Sequence, residues 1–316
     1  MRIAYMGNGP FAVPALESLH ASPHEVVQVV ARPDRPRGKS QRIEPGPVAL
    51  TATTLGLSLA QPDDVNAESF VEELANLAPD LLVVADFGQI LRQRCLDAAS
   101  KGGINIHASL LPSYRGAAPI AWAIYHGESE TGVTIIQMSR RLDSGGILAM
   151  ERTPIASEET AGELEVRLAQ MGATLACKVT DALQDGTISA TEQNDSQASL
   201  APKLTKDDGK IDWNRTARQL HDQTRALDPW PGCFTHWVRP EGAPVRMKLL
   251  SVDVADPSGA PSAVPGTVVE AEGGKLIIAT GTGTLSIARL QPAGKKPLDT
   301  ASFLRGHRVR PGDQFE

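Results

Sequence analysis

RIAYMGNGPFAVPALESLH, residues 2–20, reads as a strand, a glycine turn and a helix. The run from Ile3 to Met6 is apolar, Gly7-Asn8-Gly9 permits a tight reversal, and Pro10 opens a helix to His20, since proline is tolerated in a first turn. The same alternation continues outward along the chain. EVVQVVA at 25–31, GLSLA at 56–60, LLVVADFG at 81–88, GINIHASL at 103–110 and GVTIIQM at 132–138 are short apolar runs, with helical stretches near 67–77 and 118–125 among them. Strands apolar on both faces and separated by helices predict an α/β domain with a doubly wound, mostly parallel sheet. A longer helix from about 159 to 183 is expected from Leu164, Leu168, Leu175 and Val179 at helical spacing, and it stops at Asp185-Gly186.

From Thr187 to Pro202 the chain turns small and polar, which is linker composition. The expected division is therefore a first domain at 1–188, a linker at 189–203 and a second domain at 204–316. After one helical segment at 215–226, the second domain shows short strands with Gly and Pro turns, TVVEAEGG and KLIIATGTGTLSIARLQ. That spacing fits a small antiparallel barrel of the oligonucleotide-binding (OB) type.

Length agrees with this division, because 316 residues make about two domains at roughly 150 residues each. Apolar residues at 41% and charged residues at 22% exclude a disordered, fibrous or coiled-coil chain. Cys95, Cys177 and Cys233 are far apart, with no CxxC and no His pair beside them, so neither a disulfide framework nor a zinc ribbon is expected. The longest apolar run, Leu81 to Ala85, is far below the roughly 18 residues of a membrane span. No signal or transit pattern opens the sequence, and a cytoplasmic, monomeric protein with no membrane partner is expected.

Net charge is −6, but it is uneven: 16 basic against 24 acidic residues up to Lys203, then 15 against 13. Within the acidic part, Arg32, Arg35, Arg37, Lys39 and Arg42 face only Asp34 in a short stretch. Such a cluster can attract a phosphate backbone.

Three motifs carry chemistry. Gly7-Asn8-Gly9-Pro10-Phe11-Ala12 matches GxGxxA between strand and helix, as a dinucleotide fingerprint requires, yet Ala31-Arg32-Pro33 ends the second strand without the ribose-binding acid. A turn that shapes a ligand crevice is therefore favoured over dinucleotide binding. In Gly103 to Pro112, alternation puts Asn105, His107 and Ser109 on one face and Ile104 and Ile106 on the other. Either this is an edge strand with a satisfied histidine, or an amide and an imidazole at a strand's carboxyl end polarise a carbonyl and stabilise an oxyanion. Leu142-Asp143-Ser144-Gly145-Gly146 is turn chemistry that could also bring a carboxylate beside His107. With no nucleophile elbow in the chain, direct attack by a substrate amine or water is favoured over a covalent acyl-enzyme.

IHASLLPSYRGAAPI, ETGVTIIQM and LDSGG together resemble the formyltransferase family that uses 10-formyltetrahydrofolate. PDRPRGK, KLTKDDGKIDW, DPWPG and LQPAGKKP resemble those members that act on methionyl-tRNA, and the likeness spans nearly the whole chain. It implies a Rossmann-like first domain that binds folate and an OB-like second domain that holds tRNA. It implies that Asn105, His107 and Asp143 are catalytic, and that Ser109, Leu110, Leu111 and Pro112, with Val84, Phe87 and Gly88, line the folate site. Arg32, Arg35, Arg37, Lys39 and Arg42 would form a loop entering the acceptor stem of initiator tRNA, with Lys206, Lys210, Lys248, Lys295 and Lys296 as backbone contacts. The implied reaction is direct attack of the methionyl α-amine on the formyl carbon, with no metal. The alternatives are a formyltransferase acting on glycinamide ribonucleotide or an amino sugar, and a nicotinamide-dependent oxidoreductase. The chain departs from the family at Gly7 to Pro10, where Gly-Thr-Pro-Asp is usual, at Asp86-Phe87 for Ala-Tyr, at Arg92 for a proline, and at Lys39 for an arginine.

Overall fold

The computed structural model describes residues 1–37, 42–239, 242–257, 259 and 263–316, with the side chains of 35–37, 42 and 43 outside that description. Contacts divide the chain into two compact units: Met1–Pro119, Glu130–Pro154 and Glu163–Pro202 form one, and Ile120–Ser129, Ile155–Gly162 and Lys203–Glu316 the other.

The first unit is built on a seven-stranded sheet in the order Ile147–Pro154, Glu130–Gln137, Gly103–His107, Leu81–Ala85, Arg2–Gly7, Glu25–Val30, Leu59–Ala60. The five strands from Gly103–His107 to Leu59–Ala60 run parallel, Glu130–Gln137 pairs antiparallel with Gly103–His107, and Ile147–Pro154 pairs antiparallel with Glu130–Gln137. The expected doubly wound fold is therefore present, with an antiparallel edge. Leu81–Ala85 is buried along its whole length, as a central strand covered on both faces requires. One face packs Ala4, Met6, Leu82 and Val84 against Phe70, Val71 and Leu74, which recur on one side of the helix Glu68–Asn76. Against the other face lies the helix Ala161–Asp185, whose buried Leu164, Leu168, Leu175 and Val179 match the periodicity in the sequence. Gly172 allows that approach, because a Cβ there would stand 2.8 Å from Ile106 Cγ2.

The chain runs from Arg2–Gly7 to one side, then crosses to Leu81–Ala85 on the other. This makes a topological switch point, where open α/β sheets bind ligands beyond the strands' carboxyl ends. The edge strand Ile147–Pro154 was not anticipated, since its ILAMERTP is half-buried and carries the charged pair Glu151-Arg152. The helix Pro47–Thr54 and the short hairpin Arg35–Arg37 with Arg42–Glu44 were also not anticipated.

The stretch expected to be a linker is docked on the first unit. Thr191 exchanges backbone hydrogen bonds with Ile147, and Leu200–Ala201 pairs in parallel with Arg115–Gly116.

The second unit is an antiparallel, nearly closed barrel in the order Val268–Glu270, Ile277–Ala279, Thr284–Pro292, Val245–Asp256, Cys233–Val238, Gln314–Phe315. A bridge between Thr267 and Gln314 brings its two edges together. Trp213, Trp237, Phe303 and Phe315 fill the interior, and the Trp213 indole N–H donates to Thr235 Oγ1 at 3.0 Å. Its helix Ala217–Ala226 starts with a capping box in which Thr216 and Gln219 satisfy each other's backbone N–H groups. No helix among the described residues is long and apolar enough to cross a membrane.

Candidate active site

At the carboxyl end of Gly103–His107 the structure brings together an amide, an imidazole and a carboxylate. Asn105 Nδ2 donates to Asp143 Oδ1 at 3.2 Å, which leaves its second N–H for another acceptor. His107 is nearly buried, and its Nε2 lies 3.0 Å from the Tyr114 carbonyl oxygen, so Nε2 carries a proton. His107 Nδ1 stands 3.7 Å from Asp143 Oδ2, an ion-pair distance longer than a hydrogen bond. Asp143 Oδ2 accepts the Gly116 backbone N–H at 2.9 Å. The carboxylate thus bonds the amide and a backbone donor and faces the imidazole, while the Tyr114 carbonyl holds the ring. From the sequence, Asp143 alone was expected to orient His107.

Both residues that feed this cluster from loops have left-handed backbone, Tyr114 at φ 62° and Asp143 at φ 47°. Non-glycine residues adopt this conformation at a cost and mostly where surrounding structure imposes it.

Ser109 does not extend the polar face. Strand geometry ends at His107, and the buried Ser109 hydroxyl donates to the Ser113 carbonyl at 2.7 Å. Thr134 Oγ1 donates to the Ser109 carbonyl at 2.6 Å and accepts the Leu111 N–H at 3.2 Å, so the segment Ser109 to Pro112 is pinned from beneath. Leu110 and Pro112 remain half-buried and Leu111 buried. Of the neighbouring strand end, Val84 and Phe87 belong to the hydrophobic core, whereas Gly88 is exposed.

The GxGxxA turn holds two carboxylates. Gly9 N–H donates to Asp86 and Phe11 N–H to Glu165. These are the donors that a dinucleotide phosphate would need, and two acids already fill them, which disfavours the oxidoreductase reading. Desolvation raises the Asp86 carboxyl to about 6, the charge of Glu165 adds to the rise, and the Gly9 N–H opposes it. Burial likewise raises Glu165, against the Phe11 N–H. Asp86 as a residue is nevertheless exposed, so solvent screens part of this effect. A Cβ at position 9 would lie 1.9 Å from Asp86 Oδ2, so glycine there and aspartate at 86 fit as a pair.

Sequence reading missed Gln193, Arg115 and Asp195, which surround the Asp143 turn. Arg115 is nearly buried and pairs with Asp195 at 2.8 Å, and the exposed Arg141 pairs with the same carboxylate at 2.8 Å. The signal available in the sequence was only a basic residue, Arg115, in the loop that follows Gly103–His107.

Among residues expected to meet nucleic acid, Lys39 lies outside the described residues, as do the side chains of Arg35, Arg37 and Arg42. Arg32 is half-buried, and its carbonyl accepts from Gln61 at 2.9 Å. On the second unit Lys206, Lys210, Lys295 and Lys296 are exposed and Lys248 half-buried. Register places Lys248 opposite Phe234 and Arg246 opposite His236 on the barrel's outward face, with the Arg246 guanidinium 3.9 Å from the Phe234 ring centroid. Among the described residues, no group of three or more His, Cys, Asp or Glu is placed to hold a metal ion.

Comparison with known proteins shows the family. Residues 1–180 match the family model described as formyl transferase, and residues 203–308 match formyl transferase, C-terminal domain. The chain belongs to the formyl transferase family. It is 44% identical over 314 residues to the methionyl-tRNA formyltransferase of Pelobacter propionicus, covering 98% of this chain and 94% of that one. It is 40% identical over 320 residues to the methionyl-tRNA formyltransferase of Heliobacterium modesticaldum, covering all of both. Its fold is shared with WlaRD, a sugar 3N-formyl transferase solved with dTDP and 5-N-formyl-THF, at a TM-score of 0.67 and 19% identity over 94% of this chain and 99% of that one. It is shared also with HypX from Aquifex aeolicus in complex with tetrahydrofolic acid, at a TM-score of 0.61 and 17% identity, over 96% of this chain and 47% of that one.

Proposed function

We propose that this chain transfers the formyl group of 10-formyltetrahydrofolate to the α-amine of methionine on initiator methionyl-tRNA. The observation that carries the chemistry is the convergence of Asn105, His107 and Asp143 at one strand's carboxyl end. The neutral amine attacks the formyl carbon, a C–N bond forms, and the carbonyl oxygen becomes an oxyanion. The free N–H of Asn105 and the imidazole of His107 stabilise that charge, each such donor being worth on the order of 10²–10³ in rate. Asp143 faces the imidazole and takes part in moving the amine proton toward the departing folate nitrogen as the old C–N bond breaks. A simple α-amine titrates near pH 7.7–8.0, so a useful fraction is already neutral and no strong base is required. Ser109, Leu110, Leu111 and Pro112 with Val84, Phe87 and Gly88 form the folate side. Residues 1–188 act as the catalytic domain and 204–316 as the tRNA-binding domain.

Two features favour tRNA over a small amine. The chain matches relatives named for methionyl-tRNA along their full length. The outward barrel face, moreover, offers Arg246 and Lys248, and the turn after Thr284–Pro292 offers the exposed Lys295 and Lys296, none of which has an ion pair among the described residues. The decisive assay supplies 10-formyltetrahydrofolate with charged initiator tRNA, charged elongator tRNA, glycinamide ribonucleotide or an amino sugar nucleotide. Rapid formylation of the initiator species alone is expected, and preference for a small amine would reject the proposal.

A further inference from the structure

The Asp143 turn needs support, because Asp143 has a left-handed backbone at φ 47° and the turn lies between exposed residues on one side and two glycines on the other. The support comes from the returning chain. Gln193 Nε2 donates to the Asp143 carbonyl at 2.8 Å and to the Gly145 carbonyl at 2.7 Å. Its Oε1 accepts from Arg115 Nε at 3.1 Å and Nη2 at 2.6 Å. Both donors and both acceptor sites of one amide are thereby used. Arg115 in turn is fixed by Asp195, whose carboxyl is held below the usual range by hydrogen bonds from Arg115 and then Arg141. The neighbouring backbone is laced down as well: Arg115 N–H donates to the Ser199 carbonyl at 2.8 Å, and Tyr114 N–H to Ser199 Oγ at 2.9 Å.

We propose that Gln193 is a positioning residue for formyl transfer. Its two N–H groups hold the turn that delivers the Asp143 carboxylate to Asn105. Its oxygen, through Arg115, ties that turn to the Tyr114 carbonyl that fixes His107. One side chain thus keeps both loop contributions in register with the strand. The proposal rests on the reading of Asn105, His107 and Asp143 as the reacting cluster.

Gln193→Glu separates this role from simple docking, because glutamate keeps the size and the acceptor for Arg115 but sets an oxygen against two carbonyl oxygens. The full chain is assayed for formyl transfer to charged initiator tRNA as Gln193→Glu, Asp143→Ala and the double variant. For Gln193→Glu, kcat should fall at least about tenfold, since misplacement by about 1 Å can cost on the order of 10² in rate. KM for both substrates should stay within about twofold, the melting temperature should stay near the parent's, and the kcat–pH profile should move. The double variant should be no slower than Asp143→Ala, as expected for residues acting as a unit. Should Gln193→Glu not fold, Gln193→Met is read in the same way. Parent-like kcat in the Gln193 variant beside a disabled Asp143→Ala, or losses that simply multiply, would overturn the inference. Full activity in Asp143→Ala would instead refute the reading of the site on which it rests.

Discussion

Asn105 and His107 present polar groups from a strand whose other side chains, Ile104 and Ile106, are buried in the core. Removing either leaves backbone and packing in place, so Asn105→Ala and His107→Ala should each lower kcat by on the order of 10²–10³, as for an oxyanion donor. Folate affinity, measured by fluorescence titration, should change little, and unchanged turnover would exclude the site. Asp86 makes a different prediction. Its folded carboxyl is raised from 3.8 to about 6, so between those values the folded state holds the extra proton, and stability falls as pH climbs through that window. Asp86→Asn keeps an acceptor for the Gly9 N–H and removes the titration. Its melting temperature relative to the parent should therefore rise between pH 4 and pH 6 and then level off, by an amount reduced because the residue is exposed. A constant difference across that range would refute the shift.

At the scale of elements, legibility followed sequence distance. The polar face of Gly103–His107 and the apolar stripe of Ala161–Asp185 were readable because the period of a strand or helix fixes which side chains share a face. The role of Gln193 was not, because it depends on where a polar stretch some 50 residues beyond Asp143 returns, and no local pattern encodes that. Small polar composition reads as a linker whether the segment is free or, as here, bonded along its length. The helix Ala217–Ala226 shows the same limit, since His221, Asp222 and Arg225 are all buried in it. His221 Nδ1 lies 3.6 Å from Asp222 Oδ1 and Nε2 lies 3.0 Å from Glu158 Oε2, and these partners raise the imidazole above its usual range, Asp222 first. Burial pushes Asp222 upward, but His221 and Arg225 hold it below the usual carboxylate range. Arg218 faces the same carboxylate at 3.2 Å, and Arg225 stands 2.9 Å from it. A histidine raised in the folded state stabilises fully below its unfolded value of about 6.5, and that contribution is lost as pH rises through the folded value. Melting curves from pH 5.5 to 9 should therefore show the parent losing stability relative to His221→Gln, and parallel curves would refute the coupling. Asp222→Ala should be worse at every pH, by up to about 3–5 kcal/mol, because buried Arg225 would lose its carboxylate and keep only the Ala156 and Glu159 carbonyls.

For the whole molecule, charge distribution rather than net charge decides the partner. A chain of net charge −6 repels a polyanion at long range, so tRNA must be met by local positive patches. The candidates under the proposed function are the stretch from Arg32 to Arg42, with five basic residues against one acid, and Arg246, Lys248, Lys295 and Lys296 of the second unit. Each phosphate neutralised should contribute roughly 0.7–0.9 to the slope of log affinity against log salt. Replacing Arg35, Arg37 and Lys39 with alanine should thus raise KM for charged initiator tRNA and flatten its salt dependence by up to about 2–3, while KM for folate stays unchanged. Lys248→Ala combined with Lys295→Ala and Lys296→Ala should act in the same direction, and the two sets together should add in slope if they neutralise different phosphates. Titrations at several salt concentrations decide the matter. A barrel variant with the parent slope would remove the second unit from the tRNA contact, and a loop variant with the parent slope would remove the first.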